Sequence, residues 1–194
     1  VSGMYVQRRG GNGEPFKGKN AFFDKDDEYK LSQKARYFIG GLIEHSKALT
    51  AITCPTVNSY KRLVPGFEAP ITISWSPRNR SALVRVPLYF SSEKAVRCEY
   101  RAVDPSCNPY LAFSCLLSAG LNGIKKKIEP GDPMRIDMYE LTDEEKRKYG
   151  LGELPTTLRD ALSYLAMDEV LQNTLGSHIY DAFMELKTDE WNQY

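Results

Sequence analysis

The feature that most restricts the fold is a pair of adjacent glycines, Gly40 and Gly41, inside an otherwise helical segment. Between residues 32 and 49 apolar residues recur at intervals of three and four, which predicts one amphipathic helix with Ser32 as its N-cap. Each glycine costs a helix about 1 kcal/mol relative to alanine. We therefore predict that another part of the chain packs closely against the glycine face. His45 lies nearly in line with the apolar residues, which favours a packed histidine over a ligand.

A second helix is predicted to begin at Asn108-Pro109, because asparagine caps helices well and proline is favoured in the first turn. Its buried stripe comprises Leu111, Ala112, Cys115, Leu116 and Ala119. Lysines 125–127 at its end suit the helix dipole, an interpretation we prefer to nucleic-acid binding. A short helix or turn is predicted over residues 142–149, and longer helices over 158–171 and 176–191. The inward residues of the last one are Ile179, Phe183 and Leu186.

Strands are predicted over residues 71–76 and 82–87, joined by a turn at 76–80, and over residues 96–102. Because side chains alternate along a strand, Arg97, Glu99 and Arg101 share one face of the last strand. Such a row is either a surface salt-bridge ladder, worth about 0–1 kcal/mol per exposed pair, or the floor of a charged site. The sequence leaves both interpretations open.

Arginines are concentrated between residues 59 and 101, where they stand at positions 62, 78, 80, 85, 97 and 101. A guanidinium group binds carboxylate and phosphate through a planar fork and stays charged at any physiological pH. This concentration predicts an anionic ligand with several oxygens. The alternative is a salt-bridged strand face with ordinary surface arginines. The long loop at residues 55–70, with three prolines, is of a kind that is often functional.

The composition is that of a globular chain, with 194 residues, 42% hydrophobic and 26% charged, which fits one large domain or a piece of a longer protein. A formal net charge of +1 argues against a general nucleic-acid or membrane surface, and no apolar run is long enough to span a bilayer. The four cysteines have neither metal-site spacing nor the density of a disulfide framework. They predict buried thiols in a reduced, cytoplasmic protein. Because the chain opens with Val1, we expect it to be cut from something longer.

Five stretches, in order along the chain, resemble the type I glutamine synthetases of bacteria and archaea. They are Ala35-Arg-Tyr-Phe-Ile-Gly-Gly-Leu42, Asn58-Ser-Tyr-Lys-Arg-Leu-Val-Pro-Gly-Phe-Glu-Ala-Pro70, Arg78-Asn-Arg-Ser-Ala82, Arg97-Cys-Glu-Tyr-Arg101 and Asp104-Pro-Ser-Cys-Asn-Pro-Tyr-Leu-Ala-Phe113. The resemblance implies that residues 1–194 form the C-terminal part of the catalytic domain, without its upstream part and without the N-terminal β-grasp domain. The implied fold class is α+β, an antiparallel sheet backed by helices, akin to the guanidino kinases.

The activity that the resemblance implies is a glutamate–ammonia ligase, which uses ATP and Mg²⁺ or Mn²⁺ to make glutamine through γ-glutamyl phosphate. The implied partners are glutamate, ammonia and ATP, with no nucleic acid and no membrane. The whole enzyme is expected to be a cytoplasmic homo-oligomer of twelve subunits. Tyr139 matches a position that some relatives adenylylate, but its surroundings differ, and we favour an ordinary surface tyrosine.

Functional residues of the family can be carried over position by position. By resemblance, Glu68, on a flap at residues 64–70, takes the proton from ammonium. The resemblance also gives Arg80 a catalytic role on the transferring phosphoryl group. Binding roles follow for the substrate (Arg62, Arg101), for the phosphates (Arg80, Arg85, Arg97) and for the metal ion (Glu99).

Two departures from the family pattern affect the expected activity. Tyr5 and Gln7 stand where the family has two histidines, one a metal ligand and the other a contact to the ATP phosphates. With the upstream carboxylates also absent, we predict that the chain as given has no synthetase activity. The alternatives are a non-catalytic assembly or regulatory module, or a γ-glutamyl ligase that acts on another amine.

Overall fold

The computed structural model describes residues 19–63, 69–88, 93–136 and 141–194. The expectations for Tyr5, Gln7, Glu68 and Tyr139 lie outside these residues. None of the helices in the described part of the chain combines the length and apolarity that a bilayer crossing needs.

Helices make up most of the described structure. They are α1 (Gln33–Glu44), α2 (Ser46–Thr53), α3 (Pro109–Lys126), α4 (Asp143–Lys148), α5 (Leu158–Leu165) and α6 (Glu169–Gln193), with 3-10 helices at Val57–Lys61 and Glu93–Ala95. The strands are short: β1 (Thr72–Ile73), β2 (Trp75–Pro77), β3 (Val84–Val86), β4 (Glu99–Tyr100) and β5 (Gly152–Glu153). The predicted α+β class is confirmed.

The described strands form two small sheets. One pairs β1 with β5, and the other has the order β2-β3-β4. The β1–β5 and β3–β4 pairs are antiparallel, as predicted, whereas β2 and β3 run parallel. The strand predicted over residues 71–76 is therefore wrong as a single element, because its two halves pair with different partners.

The close approach predicted at the glycine pair is confirmed, and the neighbour is α3 with the segment that follows it. A Cβ atom added at Gly41 would lie 2.2 Å from the carbonyl oxygen of Ala119 and 2.8 Å from the Cα of Gly123. One added at Gly40 would lie 2.1 Å from the carbonyl oxygen of Ile128. The two helices thus meet backbone to backbone, which only residues without a side chain permit.

The helix predicted over residues 32–49 is divided in two at His45. This residue leaves the helical conformation, with φ −90° and ψ 3°, and its amide caps the end of α1. Its imidazole is buried, with Nδ1 2.6 Å from the Asp168 Oδ2 atom and Nε2 3.2 Å from the Asn122 Oδ1 atom. The prediction of a packed histidine is confirmed, and the three residues join α1, α3 and the start of α6.

The predicted N-cap of α3 is confirmed, because the Asn108 side-chain oxygen accepts hydrogen bonds from the amides of Tyr110 and Leu111. Replacing this asparagine with alanine removes the acceptor, so we expect Asn108→Ala to lower the free energy of unfolding by about 1 kcal/mol. Denaturant titration measures the loss. Asn108→Asp keeps an acceptor in place and serves as the matched control, and an equal loss in both variants would contradict the capping explanation.

The C-terminal helices differ from their predicted bounds and orientation. The helix expected over residues 158–171 ends at Leu165, and α6 begins at Glu169, capped by Asp168. Gly176, with φ 73°, interrupts the helical geometry within α6. The predicted inward face is confirmed at Phe183, which packs on the core, but is wrong at Ile179 and Leu186, which are 43% and 67% exposed. The other residues of α6 that pack on the core are Tyr180, Met184 and Trp191.

Candidate arginine site

The centre of the candidate site is Glu99, which two arginines hold between them. Arg85 on β3 stands directly opposite Glu99 on the antiparallel β4 strand. The Arg85 Nη1 atom lies 3.1 Å from Glu99 Oε2, and the Arg97 Nη2 atom lies 3.1 Å from Glu99 Oε1. Each carboxylate oxygen therefore accepts from a different guanidinium group, and the cluster carries one excess positive charge.

Burial and backbone contacts fix these side chains. Arg85 and Glu99 are 16% exposed and Arg97 is 31% exposed, so the row is sheltered from bulk water. The Arg85 Nε–H donates to the Arg78 carbonyl at 3.1 Å, and the Arg97 Nη1–H donates to the Ala95 carbonyl at 3.2 Å. The predicted shared face of Arg97 and Glu99 is confirmed by their contact. Their partial burial favours the floor of a charged site over a surface ladder, which would be solvated.

Arg62 lies where the chain leaves the 3-10 helix Val57–Lys61, and it reaches the segment that follows β4. Its Nη2–H donates to the Ala102 carbonyl at 3.0 Å, and its Nε atom is 3.7 Å from the Asp104 Oδ2 atom. That distance is too long for a hydrogen bond. The Arg62 Nε–H is buried and finds no hydrogen-bond acceptor within the described residues.

Asp104, which was not among the predicted site residues, opposes the charge of Arg62. Burial alone would raise the pKa of the Asp104 carboxyl, but hydrogen bonds from Ser106 and the nearby Arg62 charge outweigh it and hold the pKa below its ordinary value. The Ser106 amide and hydroxyl donate to Asp104 Oδ1 at 2.8 and 2.6 Å. An aspartate that accepts from the residue two positions later forms a common turn, so Asp104-Pro-Ser106 was the available signal.

Arg101 follows β4 directly, and its amide donates to the Leu83 carbonyl at 2.9 Å. Its side chain is partly buried, and its Nε–H is a second buried donor without an acceptor in the described part of the chain. Buried polar groups are nearly always hydrogen-bonded, and an exception calls for an explanation such as a bound ligand. Arg62 and Arg101 thus each present a buried donor that has no acceptor among the described residues.

All four cysteines are free thiols. Cys54 and Cys115 are buried as predicted, whereas Cys98 and Cys107 are only partly buried. Cys54 lies beside Arg62, and burial raises the pKa of its thiol to about 11, so it is uncharged at neutral pH. The predicted role as a small buried side chain fits both buried cysteines.

Arg80, a predicted site residue, is exposed in the link between β2 and β3. Glu68 lies outside the described residues. No group of three or more histidine, cysteine, aspartate or glutamate side chains capable of holding a metal ion occurs in residues 19–63, 69–88, 93–136 and 141–194. A cavity of about 420 Å³ lies elsewhere, between α5 and α6.

Comparison with known proteins assigns the chain to a family. The model of the family "Glutamine synthetase, catalytic domain" matches residues 16–194. A curated glutamine synthetase from Archaeoglobus fulgidus is 69% identical over the whole of this chain, which covers 40% of that relative. The glutamine synthetases of Methanocaldococcus jannaschii and Thermotoga maritima are 50% and 48% identical over 92% and 100% of this chain, which covers 39% and 43% of them.

Solved structures agree with that assignment. Apo GmaS superimposes with a TM-score of 0.76 and 40% identity over 95% of this chain, which covers 39% of that structure. A GmaS–ADP complex gives a TM-score of 0.77 and 39% identity, covering 95% of this chain and 40% of the other. The chain spans about two-fifths of the length of the curated relatives described above. From the extent of the family match and these identities, the chain belongs to the glutamine synthetase family, in the region of its catalytic domain.

Proposed function

We propose that this chain is the C-terminal part of the catalytic domain of an ATP-dependent glutamate–ammonia ligase. The observation that carries the proposal is a set of four arginines. Arg85 and Arg97 hold the Glu99 carboxylate between them, and Arg62 and Arg101 each have a buried Nε–H without an acceptor among the described residues. Such donors suit an anion with several oxygens. The likeness to a GmaS structure that contains ADP supports a nucleotide as one such anion.

Phosphate binding is the role we propose for Arg85 and Arg97, with Arg80 acting on the transferring phosphoryl group. A guanidinium group has five N–H donors, and Glu99 engages only part of this capacity in each of the two arginines. Phosphoryl transfer depends mainly on positioning and on neutralising charge at the moving oxygens. Fixed, partly buried guanidinium groups supply that neutralisation without needing to reorganise.

Substrate binding falls to Arg62 and Arg101 in this proposal, because their Nε–H groups, which have no acceptor among the described residues, can donate hydrogen bonds to a carboxylate. Asp104 lies near the Arg62 guanidinium as a counter-charge, at an Nε–Oδ2 distance of 3.7 Å, and leaves the Nε–H without a short hydrogen bond. Glu68 would accept the proton from ammonium, a role that rests on the family resemblance alone.

A divalent cation fits Glu99 as one ligand among several. Each oxygen of its carboxylate accepts one described arginine hydrogen bond and keeps further lone-pair capacity. Mg²⁺ requires close to octahedral oxygen coordination, so nucleotide phosphates, water and other carboxylates of the whole protein would complete its shell. When bound, the ion supplies charge neutralisation at the ATP phosphates.

A γ-glutamyl ligase that acts on another amine is the second candidate. The retained arginines are compatible with it, because the phosphate half of such a site would use the same side chains. A non-catalytic module is the third, and the observation behind it is Tyr5 and Gln7 at the two histidine positions of the family. For the whole protein we propose a cytoplasmic homo-oligomer of twelve subunits, again from the resemblance.

Calorimetric titration of the 194-residue chain with ATP and Mg²⁺ tests the phosphate role. We expect Arg97→Gln to weaken the affinity about tenfold or more, because a charge-assisted contact contributes about 1.5–3 kcal/mol. Arg135→Gln is the matched control, since Arg135 is exposed and pairs with Glu28. Equal affinity in both variants, or no binding by the unaltered chain, would count against the proposed phosphate site. In a glutamine-forming assay we expect no turnover from the chain alone.

A further inference from the structure

A groove that none of the predicted site arginines lines lies between α5 and the second half of α6. Its volume is about 420 Å³. The floor is apolar and includes Leu162 from α5 and Met184 and Trp191 from α6. The rim is polar and includes Arg159, Ser163 and Asn192. The groove therefore combines an aromatic surface with a cation at one edge.

Part of the polar rim has no partner in the described part of the fold, although the Ser163 hydroxyl donates to the Arg159 carbonyl at 3.0 Å. The Arg159 guanidinium has no ion pair or hydrogen bond with the described residues, and neither the Trp191 indole N–H nor the Asn192 amide makes one. The neighbouring carboxylate of Asp160 accepts from the Thr157 hydroxyl at 2.7 Å. A cation and two neutral donors thus surround an apolar floor, which suits a ligand with an apolar body and an anionic oxygen-bearing end.

The dimensions favour a small molecule over a docked helix. The α5 wall runs from Arg159 to Ala166, which at 1.5 Å per residue is about 10 Å. A helix docked along this wall would contact it over about two turns only, and isolated helices shorter than about 12–15 residues are marginally stable in water. Ligand pockets commonly measure about 300–1,000 Å³. The volume of the groove falls in that range.

We propose that the groove is a binding site for a small aromatic carboxylate. The ring lies on Trp191, Met184 and Leu162, and the carboxylate pairs with Arg159. Aromatic rings pack favourably on a tryptophan face and near a methionine sulfur, and a guanidinium–carboxylate pair is a charge-assisted hydrogen bond. This inference does not depend on the proposed ligase function.

The α6 wall of the groove is also tied to the element that ends at Arg62. Glu190 Oε1 accepts a hydrogen bond from the Val57 amide at 3.1 Å, and the Lys61 Nζ atom lies 5.9 Å from the centre of the Tyr194 ring. Tyr194 in turn stacks at a tilt on Trp191, with ring centres 5.9 Å apart. A ligand on Trp191 would therefore contact the helix that supports the 3-10 segment before Arg62.

The chain offers an internal reporter, because it contains two tryptophans. The full 194-residue chain, labelled with ¹⁵N, is titrated with 2-naphthoate while the two indole N–H signals are followed by NMR. We expect a saturable shift of the Trp191 signal and none of the Trp75 signal, since Trp75 is buried and donates to the Gly131 carbonyl at 2.9 Å. An unsaturable shift, no shift, or equal movement of both signals would overturn the proposal.

Charge recognition is tested with Arg159→Gln, which we expect to weaken 2-naphthoate binding about tenfold. The neutral isostere 2-naphthamide should bind the unaltered chain about as weakly as 2-naphthoate binds that variant. Lys126→Gln removes an exposed charge on α3 and is the matched control. Unchanged affinity in Arg159→Gln, with its indole spectrum showing a folded chain, or equal affinity for the acid and the amide, would overturn the role of Arg159.

Discussion

Gly41→Ala is expected to lower the free energy of unfolding by about 3 kcal/mol or more, a large effect for a single methyl group. The new Cβ would lie 2.2 Å from the Ala119 carbonyl oxygen, and the opposing atoms are backbone, so no side chain can turn away. To restore an ordinary van der Waals distance in the variant, α1 and α3 would have to separate by roughly 1 Å, and this separation would loosen a close-packed core. The gain of about 1 kcal/mol in helix propensity does not offset that loss.

Denaturant titration monitored by circular dichroism measures the effect. Gly152→Ala is the matched control, because its Cβ would meet only the Ile73 Cδ1 atom at 3.4 Å, an ordinary contact. We expect the control to change stability by less than about 0.5 kcal/mol. Gly123→Ala tests the same contact between α1 and α3 from the α3 side, because its Cβ would lie 2.2 Å from the Tyr37 carbonyl oxygen. Similar stability in all three variants would contradict the backbone contact.

His45→Ala is expected to cost about 3 kcal/mol at pH 6, because breaking one side of a buried ion pair leaves an uncompensated charge. Asp168 would keep its hydrogen bond from the Leu171 amide, at 3.1 Å, but lose its partner at 2.6 Å. Asn122 would also lose a contact. Thermal or denaturant unfolding measures the loss. His178→Ala, at an exposed position of α6, is the control and should cost much less.

The same pair makes stability depend on pH in a direction that can be worked out. Burial alone would lower the pKa of His45, but the hydrogen bond and charge of Asp168 outweigh it and raise the pKa above its ordinary value. The contribution of His45 is therefore complete below about pH 6.5 and is lost as the pH rises through the raised value. Burial alone would raise the pKa of the Asp168 carboxyl, but the hydrogen bond and charge of His45 outweigh it and lower the pKa. The contribution of Asp168 to stability is therefore complete above about pH 4 and is lost in stronger acid.

The two effects leave a window of about pH 4 to 6.5 in which the pair stabilises the fold fully. We expect the stability difference between the unaltered chain and His45→Ala to shrink as the pH rises above that window. Unfolding curves collected from pH 5 to pH 9 measure the difference. A gap that stays constant, or that widens toward alkaline pH, would show that His45 contributes through packing and not through its charge.

Local signals in the sequence predicted the helices well where a cap or a repeat was strong. Ser32 and Asn108 cap the helices that they were expected to cap. The glycine pair predicted a close neighbour but could not say that the neighbour was Gly123. The break at His45 was missed, because it depends on Asp168 and Asn122, which reach the histidine from distant parts of the chain.

Strand partners and helix faces were less predictable for the same reason. The alternation of side chains along a strand predicted that Arg97 and Glu99 share one face. No feature of residues 96–102 indicated that Arg85 would be the partner of Glu99 across the sheet. In α6 both the predicted and the observed inward faces satisfy a spacing of three and four. Contact with α5 and with the segment around Val57 decides between them. The site roles of all the predicted residues stay predictions: Arg62, Glu68, Arg80, Arg85, Arg97, Glu99 and Arg101.

The meeting of α1 and α3 at their glycines makes the arginine cluster sensitive to changes far away from it. The first residues of α3 follow closely after Asp104, the counter-charge of Arg62. Any larger side chain at the crossing would push α3 outward and carry that carboxylate along with it. Selection for ligand binding would thus act on positions that touch no ligand, and a mutational screen for weakened binding would recover glycine substitutions in the hydrophobic interior.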